Sequence, residues 1–237
     1  MRLEQAVTRW RELGDRNETA AALEALGWLL VYDAGDDVAS LAAFEEAYST
    51  RQDLADRAGE TRALVGVCQV LVALGEVERA EALANELMER GEDDSRTRHF
   101  ATHFLADCSL LRGDCADAEE RYRESLRAAL ELGDVFEASI EVQGVAMAKA
   151  GRGESARALE LAASAEALWR SLGTDMHVGF WDKLLERYLG EARIALGPDA
   201  EAARTRGLEL AFDDAVRSRW QKPTRLGHRD WRVGDGR

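Results

Sequence analysis

Small, apolar and polar residues recur in a regular arrangement along most of the chain. Each unit begins with a glycine and an acidic residue, after which small and apolar residues follow at helical spacing. Four of these turns are regular and a fifth is degenerate: Gly35-Asp36, Gly75-Glu76, Gly113-Asp114, Gly153-Glu154 and Gly197-Pro198-Asp199. The turn glycines are 40, 38, 40 and 44 residues apart. A period of this size predicts a solenoid of helix pairs, in which the glycine ends one helix and the acid begins the next.

Small residues occupy fixed positions on both sides of each turn. Five residues after the glycine stand Ser40, Ala80, Ala118, Ala158 and Ala202, and seven before it stand Cys68, Ala106, Ala146 and Gly190. In the first unit the small residue is Gly27, which lies eight residues before the turn glycine Gly35 and not seven. The register of this unit is therefore ambiguous by one residue. Because small side chains let helix backbones approach closely, these positions are predicted to face each other where paired helices cross. The bulkier Phe44 and Tyr122 are expected to fill the groove beside the crossing.

A second set of turns, such as "LGD" at 13–15 and 132–134, separates successive pairs. The two sets together predict eleven helices, at about 3–13, 17–33, 37–55, 59–74, 77–90, 95–112, 115–132, 135–150, 154–171, 176–196 and 199–217. The predicted fold is all-α, a right-handed superhelix of antiparallel helix pairs with about five repeats. The solenoid would span 1–217, followed by a flexible basic tail at 218–237. Helix 3–13 has the pattern of a second helix whose pair-mate is missing, so it is either a cap or the start of a fragment.

Composition supports a helical protein of the cytoplasm. Hydrophobic residues make up 46% and charged residues 32% of the 237, and there are two prolines. No apolar run approaches the roughly 20 residues that span a bilayer, so no membrane association is expected. The three cysteines are an odd number without CxxC spacing, which predicts reduced thiols. Lysine is rare and arginine abundant, a bias typical of GC-rich bacterial genomes.

The charge distribution argues against direct binding of nucleic acid. The net charge of the chain is −14. Residues 217–237 contain seven Arg or Lys residues and two Asp residues and so carry +5, which leaves −19 on residues 1–216. A body this acidic repels phosphate. No GxxxxGK[ST] loop and no GxSxG elbow occur in the sequence. We therefore expect no catalytic residues, no metal and no cofactor.

The repeat pattern over about 1–217 resembles the tetratricopeptide repeat, with units longer than its usual 34 residues. The run from Gly144 to Gly173, with "AASAEALW" at 162–169 and "ARIALG" at 192–197, resembles the C-terminal repeat region of bacterial LuxR-type regulators that carry a STAND-class ATPase. This resemblance implies a regulatory domain that senses an inducer or partner. The aromatic residue expected early in the first helix of each tetratricopeptide pair is missing.

In such a solenoid the first helix of each pair lines the concave surface. Positions counted back from the turn glycines predict a partner-binding groove formed by Arg62, Gln69, Phe100, His103, Asp107, Gln143, Met147, Arg187 and Glu191. Polar residues among apolar ones are typical of a groove that binds an extended peptide or a helix. The same pattern is equally consistent with an ordinary solvent-exposed surface that binds nothing. The i, i+4 series of His99, His103 and Asp107 also suggests a metal site, but residues stacked along one helix converge poorly on one ion.

Three functions follow as hypotheses. The main one is a non-catalytic scaffold for a protein or peptide, serving as the sensing domain of a bacterial signalling or transcriptional regulator. The alternative is a receptor for a small-molecule inducer, with a pocket formed by Trp28, Phe100, His103 and Met147. The third is a self-assembling repeat protein, for example a homodimer joined through uncovered terminal repeats.

Overall fold

The computed structural model describes residues 2–92, 94–171, 173 and 178–210, which contain eleven α-helices and no strand. The helices are α1 Arg2–Leu13, α2 Arg16–Leu29, α3 Asp37–Asp53, α4 Arg57–Leu74, α5 Val77–Arg90, α6 Ser95–Arg112, α7 Cys115–Glu131, α8 Val135–Gly151, α9 Ser155–Ser171, α10 Gly179–Leu196 and α11 Ala200–Glu209. The all-α prediction is therefore confirmed. The predicted stretch of the last helix from 211 to 217 and the tail at 218–237 lie outside the described residues. None of the described helices is long and apolar enough to cross a membrane.

The regular turns have the predicted backbone conformation. Gly35, Gly75, Gly113 and Gly153 all have φ between +61° and +81°, a region that favours glycine because it has no Cβ. The side chain of the following acid caps the next helix where that acid is an aspartate, whereas Glu76 makes no such hydrogen bond. In two of these turns Asp36 and Asp114 accept a hydrogen bond from the backbone N–H three residues later, at 3.0 and 3.2 Å.

A π-helical turn removes the ambiguity in the first unit. Leu30–Ala34 continues α2 as a π-helix, and the Gly35 N–H donates to the Leu30 carbonyl. A π-turn accommodates one extra residue without breaking the helix. Gly27 therefore keeps its place at the crossing, where the Ser40 hydroxyl donates to the Gly27 carbonyl at 2.9 Å.

Aromatic rings fill the space beside the small residues, as predicted. A methyl group on Gly66 would lie 2.3 Å from the Phe44 ring, and one on Gly144 would lie 2.5 Å from the Tyr122 ring. Both rings are fully buried. The glycines of α4 and α8 thus provide the space in which the aromatic rings of α3 and α7 pack.

Consecutive helices pack on one another from α1 to α9, consistent with an all-α helical repeat, but the end of the chain departs from this order. α10 packs against α8 and α9, while α11 packs chiefly on α9. The predicted crossing residue Ala202 is exposed; instead a Cβ on Gly207 would lie 2.3 Å from the Glu160 carbonyl oxygen. The prediction is wrong here because Gly197, at φ +54° and ψ −122°, leads into a 3-10 turn and gives the chain a different direction.

The first residues of α10 connect two parts of the core. Val178 and Phe180 pack against the cluster built mainly from α4 and α6 and also against the cluster built mainly from α7, α8 and α10. Burial raises the pKa of Asp37 at the start of α3, and the ammonium of Lys183 opposes this rise. α10 therefore lies close to the first helices as well as to α8, and a partly open cavity lies between α2, α4, α6, α8 and α10.

Candidate ligand-binding pocket

The cavity has a volume of about 850 Å³ and is bounded by the inner helices α2, α4, α6, α8 and α10. Aromatic residues form much of its wall, and charged residues from several helices complete it. Its principal residues are Glu24, Trp28, Tyr32, Arg62, Val65, Gln69, Arg90, Arg96, Phe100, His103, Phe136, Glu137, Ile140, Phe180 and Trp181. Every inner helix thus contributes to the wall of one cavity.

The structure brings together four of the nine predicted groove residues: Arg62, Gln69, Phe100 and His103. Trp28, Phe100 and His103 of the alternative small-molecule pocket also line the cavity together. These residues therefore lie together on the cavity side of their helices.

The other five predicted groove residues do not line this cavity. Asp107 and Met147 are fully buried, so the expectation that they face a ligand needs correction. Gln143 is also buried, where its side-chain oxygen accepts a hydrogen bond from Trp181 Nε1 at 2.7 Å. Arg187 and Glu191 are exposed on α10 away from the cavity. The burial of Asp107 and Met147 has a simple cause: each follows the small residue at the helix crossing, where the backbones are closest and leave no open surface.

Sequence reasoning missed the residues one helical turn nearer the start of each inner helix. Positions seventeen residues before the turn glycines, counted from the printed sequence, are Ala58, Arg96, Phe136 and Phe180, and all four line the cavity. Glu137 follows Phe136 and lines the cavity too. Trp181 also lines the cavity, and its position near the start of the last inner helix already places it beside the concave side. The same periodic count that gave the predicted groove would have found them if it had been extended by one turn. The pocket lies at the N-terminal ends of α4, α6, α8 and α10.

Aromatic rings are arranged in contacting groups around the cavity. The rings of Trp28 and Tyr32 stack with centroids 5.8 Å apart. On the other helices, Phe180 lies 6.2 Å from Trp181, and Trp181 lies 5.8 Å from the His103 ring. Such contacts hold the rings in defined orientations, so the wall is preorganised for an apolar or flat ligand.

Beneath His103 lies a buried network of polar side chains. The His103 Nδ1–H donates to Glu141 Oε1 at 2.9 Å, and His103 Nε2 lies 3.4 Å from Asp107 Oδ2. The Tyr122 hydroxyl donates to Asp107 Oδ1 at 2.5 Å, and the Ser125 hydroxyl donates to Glu141 Oε1 at 3.0 Å. The network joins α6, α7 and α8 directly below the pocket.

The network fixes the charge of the pocket floor. Burial alone would lower the pKa of His103, but the carboxylates of Asp107 and Glu141 outweigh it and raise that pKa to about 10. Burial raises the pKa of Asp107 to about 6, although His103 and the Tyr122 hydroxyl act to lower it. At neutral pH the floor therefore contains an imidazolium between two carboxylates.

The histidine and carboxylate side chains of α6 are committed to protein contacts. The His99 ring hydrogen-bonds to Ser125, with 2.8 Å between Nδ1 and Oγ, while His103 and Asp107 belong to the network beneath the pocket. Within the described residues there is no group of three or more His, Cys, Asp or Glu side chains placed to hold a metal ion. The arrangement provides charge and hydrogen bonds at the base of a cavity.

The sequence matches no known protein-family model and no curated protein. The function must therefore be argued from the pocket itself.

Proposed function

We propose that the chain is a non-catalytic receptor domain that binds a small organic molecule in the pocket between its inner helices. The observation that carries this proposal is the cavity of about 850 Å³ with aromatic walls and a few charged groups. Pockets for drug-sized ligands typically enclose about 300–1,000 Å³ and have a lining of this kind. The small-molecule alternative is favoured over a scaffold for a protein or peptide, because residues of five helices converge on one cavity of drug-sized volume.

The receptor would be a tetratricopeptide-like domain, with antiparallel helix pairs in a right-handed superhelix. The evenly spaced turn glycines support this architecture. Its cellular role would be the sensing part of a bacterial signalling or transcriptional regulator, a proposal supported by the resemblance of 144–173 to the repeat region of such regulators.

Ligand binding would couple the first and last units of the solenoid. A molecule in the pocket contacts α2 and α10 at once, and the start of α10 packs on two core clusters. A ligand that binds one arrangement of α10 better than another shifts the population by its difference in affinity. The position of α10, and of α11 after it, would then report occupancy.

A thermal-shift screen of drug-sized molecules tests the proposal. A ligand at one hundred times its Kd stabilises the folded state by about 2.7 kcal/mol, which corresponds to a rise in Tm of about 5–10 °C for a chain of this length. The variant Ala25→Trp places an indole ring in the pocket from α2 and should abolish the rise. The control Ala116→Trp lies on the exposed surface of α7, outside the pocket, and should keep it.

Three outcomes would count against the receptor. They are a screen without hits, a hit that Ala25→Trp still binds, and a protein or peptide that binds the chain independently of the pocket. The last of these would favour the scaffold hypothesis. Sedimentation of the ligand-free chain as a dimer would point to self-association.

A further inference from the structure

The pocket wall contains seven aromatic side chains among the described residues: Trp28, Tyr32, Phe100, Phe104, Phe136, Phe180 and Trp181. An aromatic wall by itself accommodates any apolar ligand. The faces of aromatic rings also carry negative electrostatic potential, so they attract organic cations more than anions of the same shape. The charges around the wall decide between these possibilities.

The arginines that line the pocket are already paired with carboxylates of the protein. Arg90 binds Glu60 at 3.0 Å and Glu86 at 2.6 Å, and Arg96 binds Asp134 at 3.2 Å. These guanidinium groups are therefore neutralised in place and offer little attraction to an anionic ligand.

The third lining arginine, Arg62, lies 3.4 Å from Glu24, which also lines the pocket. The Glu24 side chain is 14% exposed and that of Arg62 is 56% exposed, so only the carboxylate of this pair is sheltered in the wall. Glu24 also pairs with the buried Arg51 at 2.8 Å, and Arg51 pairs with Asp56 at 3.1 Å, so the two arginines are balanced by two carboxylates.

Glu137 is the exception among the charged groups of the wall. Its carboxylate is 21% exposed and forms no salt bridge with an arginine or lysine within the described residues. His99 Nε2 lies 3.6 Å from it, and it also interacts electrostatically with the His103 ring. The His99 Nε2 atom in turn has no hydrogen-bond partner in the structure. A carboxylate that faces an aromatic cavity without a salt bridge to an arginine or lysine is a candidate for pairing with a cationic ligand.

The network below adds to the negative charge. Asp107, Glu137 and Glu141 are three carboxylates near the imidazolium of His103, which leaves a formal excess of two negative charges over that cation. Asp107 and Glu141 are fully buried, so their charges are weakly screened by solvent. The floor therefore attracts positive charge.

We infer that the ligand is an organic cation: an apolar body carrying an ammonium or similar charge, with the charge next to Glu137 and the body against the aromatic wall. This inference rests on the proposed receptor function and names the chemical class of its ligand. Neither the aromatic lining nor the acidic floor alone requires a cationic ligand. Together they make a cavity that should bind a cation more tightly than a neutral or anionic molecule of equal size.

A pair of ions with equal shape and opposite charge tests the inference on the intact chain. Tetraphenylphosphonium and tetraphenylborate differ mainly in the sign of the charge. Binding is measured by quenching of tryptophan fluorescence at about 0.15 M salt, where screening over about 8 Å suppresses attraction to the distant acidic surface. We expect the phosphonium to bind at least about tenfold more tightly than the borate, a difference of about 1.4 kcal/mol.

The variant Glu137→Gln keeps the shape of the side chain and removes its charge. It should weaken phosphonium binding by about tenfold and leave borate binding unchanged or improved. The matched control Glu120→Gln makes the same change of net charge at an exposed position of α7 and should have no effect.

The outcomes separate the two proposals. Binding of both ions with equal affinity, or stronger binding of the borate, would overturn the cation while leaving a ligand-binding pocket. Binding of neither ion would overturn both the cation and the receptor. The comparison of the two ions uses the unmodified chain, so it remains decisive even if Glu137→Gln folds poorly.

Discussion

The buried network beneath the pocket should make the stability of the protein depend on pH. The carboxylates of Glu141 and Asp107, at 2.9 and 3.4 Å from the His103 ring, outweigh the effect of burial and raise the pKa of His103 from 6.5 to about 10. Because this pKa is higher in the folded state than in the unfolded chain, the stabilisation is complete below pH 6.5 and is lost as the pH rises through 10. At about 1.36 kcal/mol per pKa unit it amounts to about 4 kcal/mol at pH 7.

The wild-type protein should therefore lose about 2 kcal/mol of unfolding free energy between pH 7 and 8.5. This window avoids the other perturbed groups. The pKa of Asp107 is 3.8 in the unfolded chain and about 6 in the folded protein, where burial raises it, so this group changes its charge below pH 7. The thiols of Cys68 and Cys108, whose pKa values are also raised by burial, matter only as unfolded thiols begin to ionise near 9.

Two variants separate the charges from the shapes of the side chains. His103→Gln leaves Asp107 and Glu141 facing each other without a cation, and breaking a buried ion pair costs about 3–5 kcal/mol. The triple variant His103→Gln, Asp107→Asn, Glu141→Gln replaces the whole network by neutral amides of similar shape. It should be more stable than His103→Gln and should have no pH slope in this window.

Guanidinium unfolding followed by far-UV circular dichroism at several pH values measures these free energies, and Glu120→Gln provides a surface control. A flat wild-type profile between pH 7 and 8.5 would refute the reasoning. A triple variant that retained the wild-type slope would do the same, because the slope would then arise elsewhere.

Backbone and packing predictions follow from the glycine positions. Ala55 has φ +54° at the turn position that Gly133 occupies between α7 and α8. Ala55→Gly should therefore stabilise the fold by about 0.5–1 kcal/mol, and Gly133→Ala should destabilise it by about 1 kcal/mol. Thermal unfolding measures both changes. Gly66→Ala should cost about 1–3 kcal/mol because the new methyl group meets the Phe44 ring. Its matched control Gly179→Ala meets open space at the start of α10 and should be neutral or stabilising; an equal loss in both would contradict the packing argument.

The sequence predicts the turns well because their cause is local. A positive φ requires glycine, and an aspartate after it can cap the next helix without help from distant residues. For the same reason the period of the repeat and most helix boundaries follow from the positions of Gly75, Gly113 and Gly153. The π-turn at Leu30–Ala34 is visible only as one extra residue, which shows that a length change is present but not how the backbone absorbs it.

The depth of the pocket residues could not be predicted from one helix at a time. Register places His103 and Asp107 on the same face of α6, yet only His103 reaches the cavity. Whether a residue on that face is open depends on its neighbours, here Tyr122 of α7, which covers Asp107 with a hydrogen bond. The contribution of Phe180 was missed for a related reason, because the path of α10 depends on long-range packing.

The repeat also fails where local signals are weakest. The turn at Gly197 has the expected glycine, but Pro198 follows it within a 3-10 turn. The next helix, α11, then packs on α9. Ala202 has the right spacing for a crossing residue and is nevertheless exposed, while Gly207 is buried. Spacing alone cannot determine which of two small residues on a helix meets a neighbour.

The central claim is that a ligand occupies the pocket between the inner helices, and the indole N–H signals of the tryptophans test it most directly. Trp28 and Trp181 line the pocket, whereas Trp10 and Trp169 lie outside it. In a ¹⁵N-labelled sample titrated with tetraphenylphosphonium, the account predicts saturable shifts of the Trp28 and Trp181 signals with the Trp10 and Trp169 signals unchanged. Shifts confined to Trp10 or Trp169, or no shift of any of the four, would contradict it.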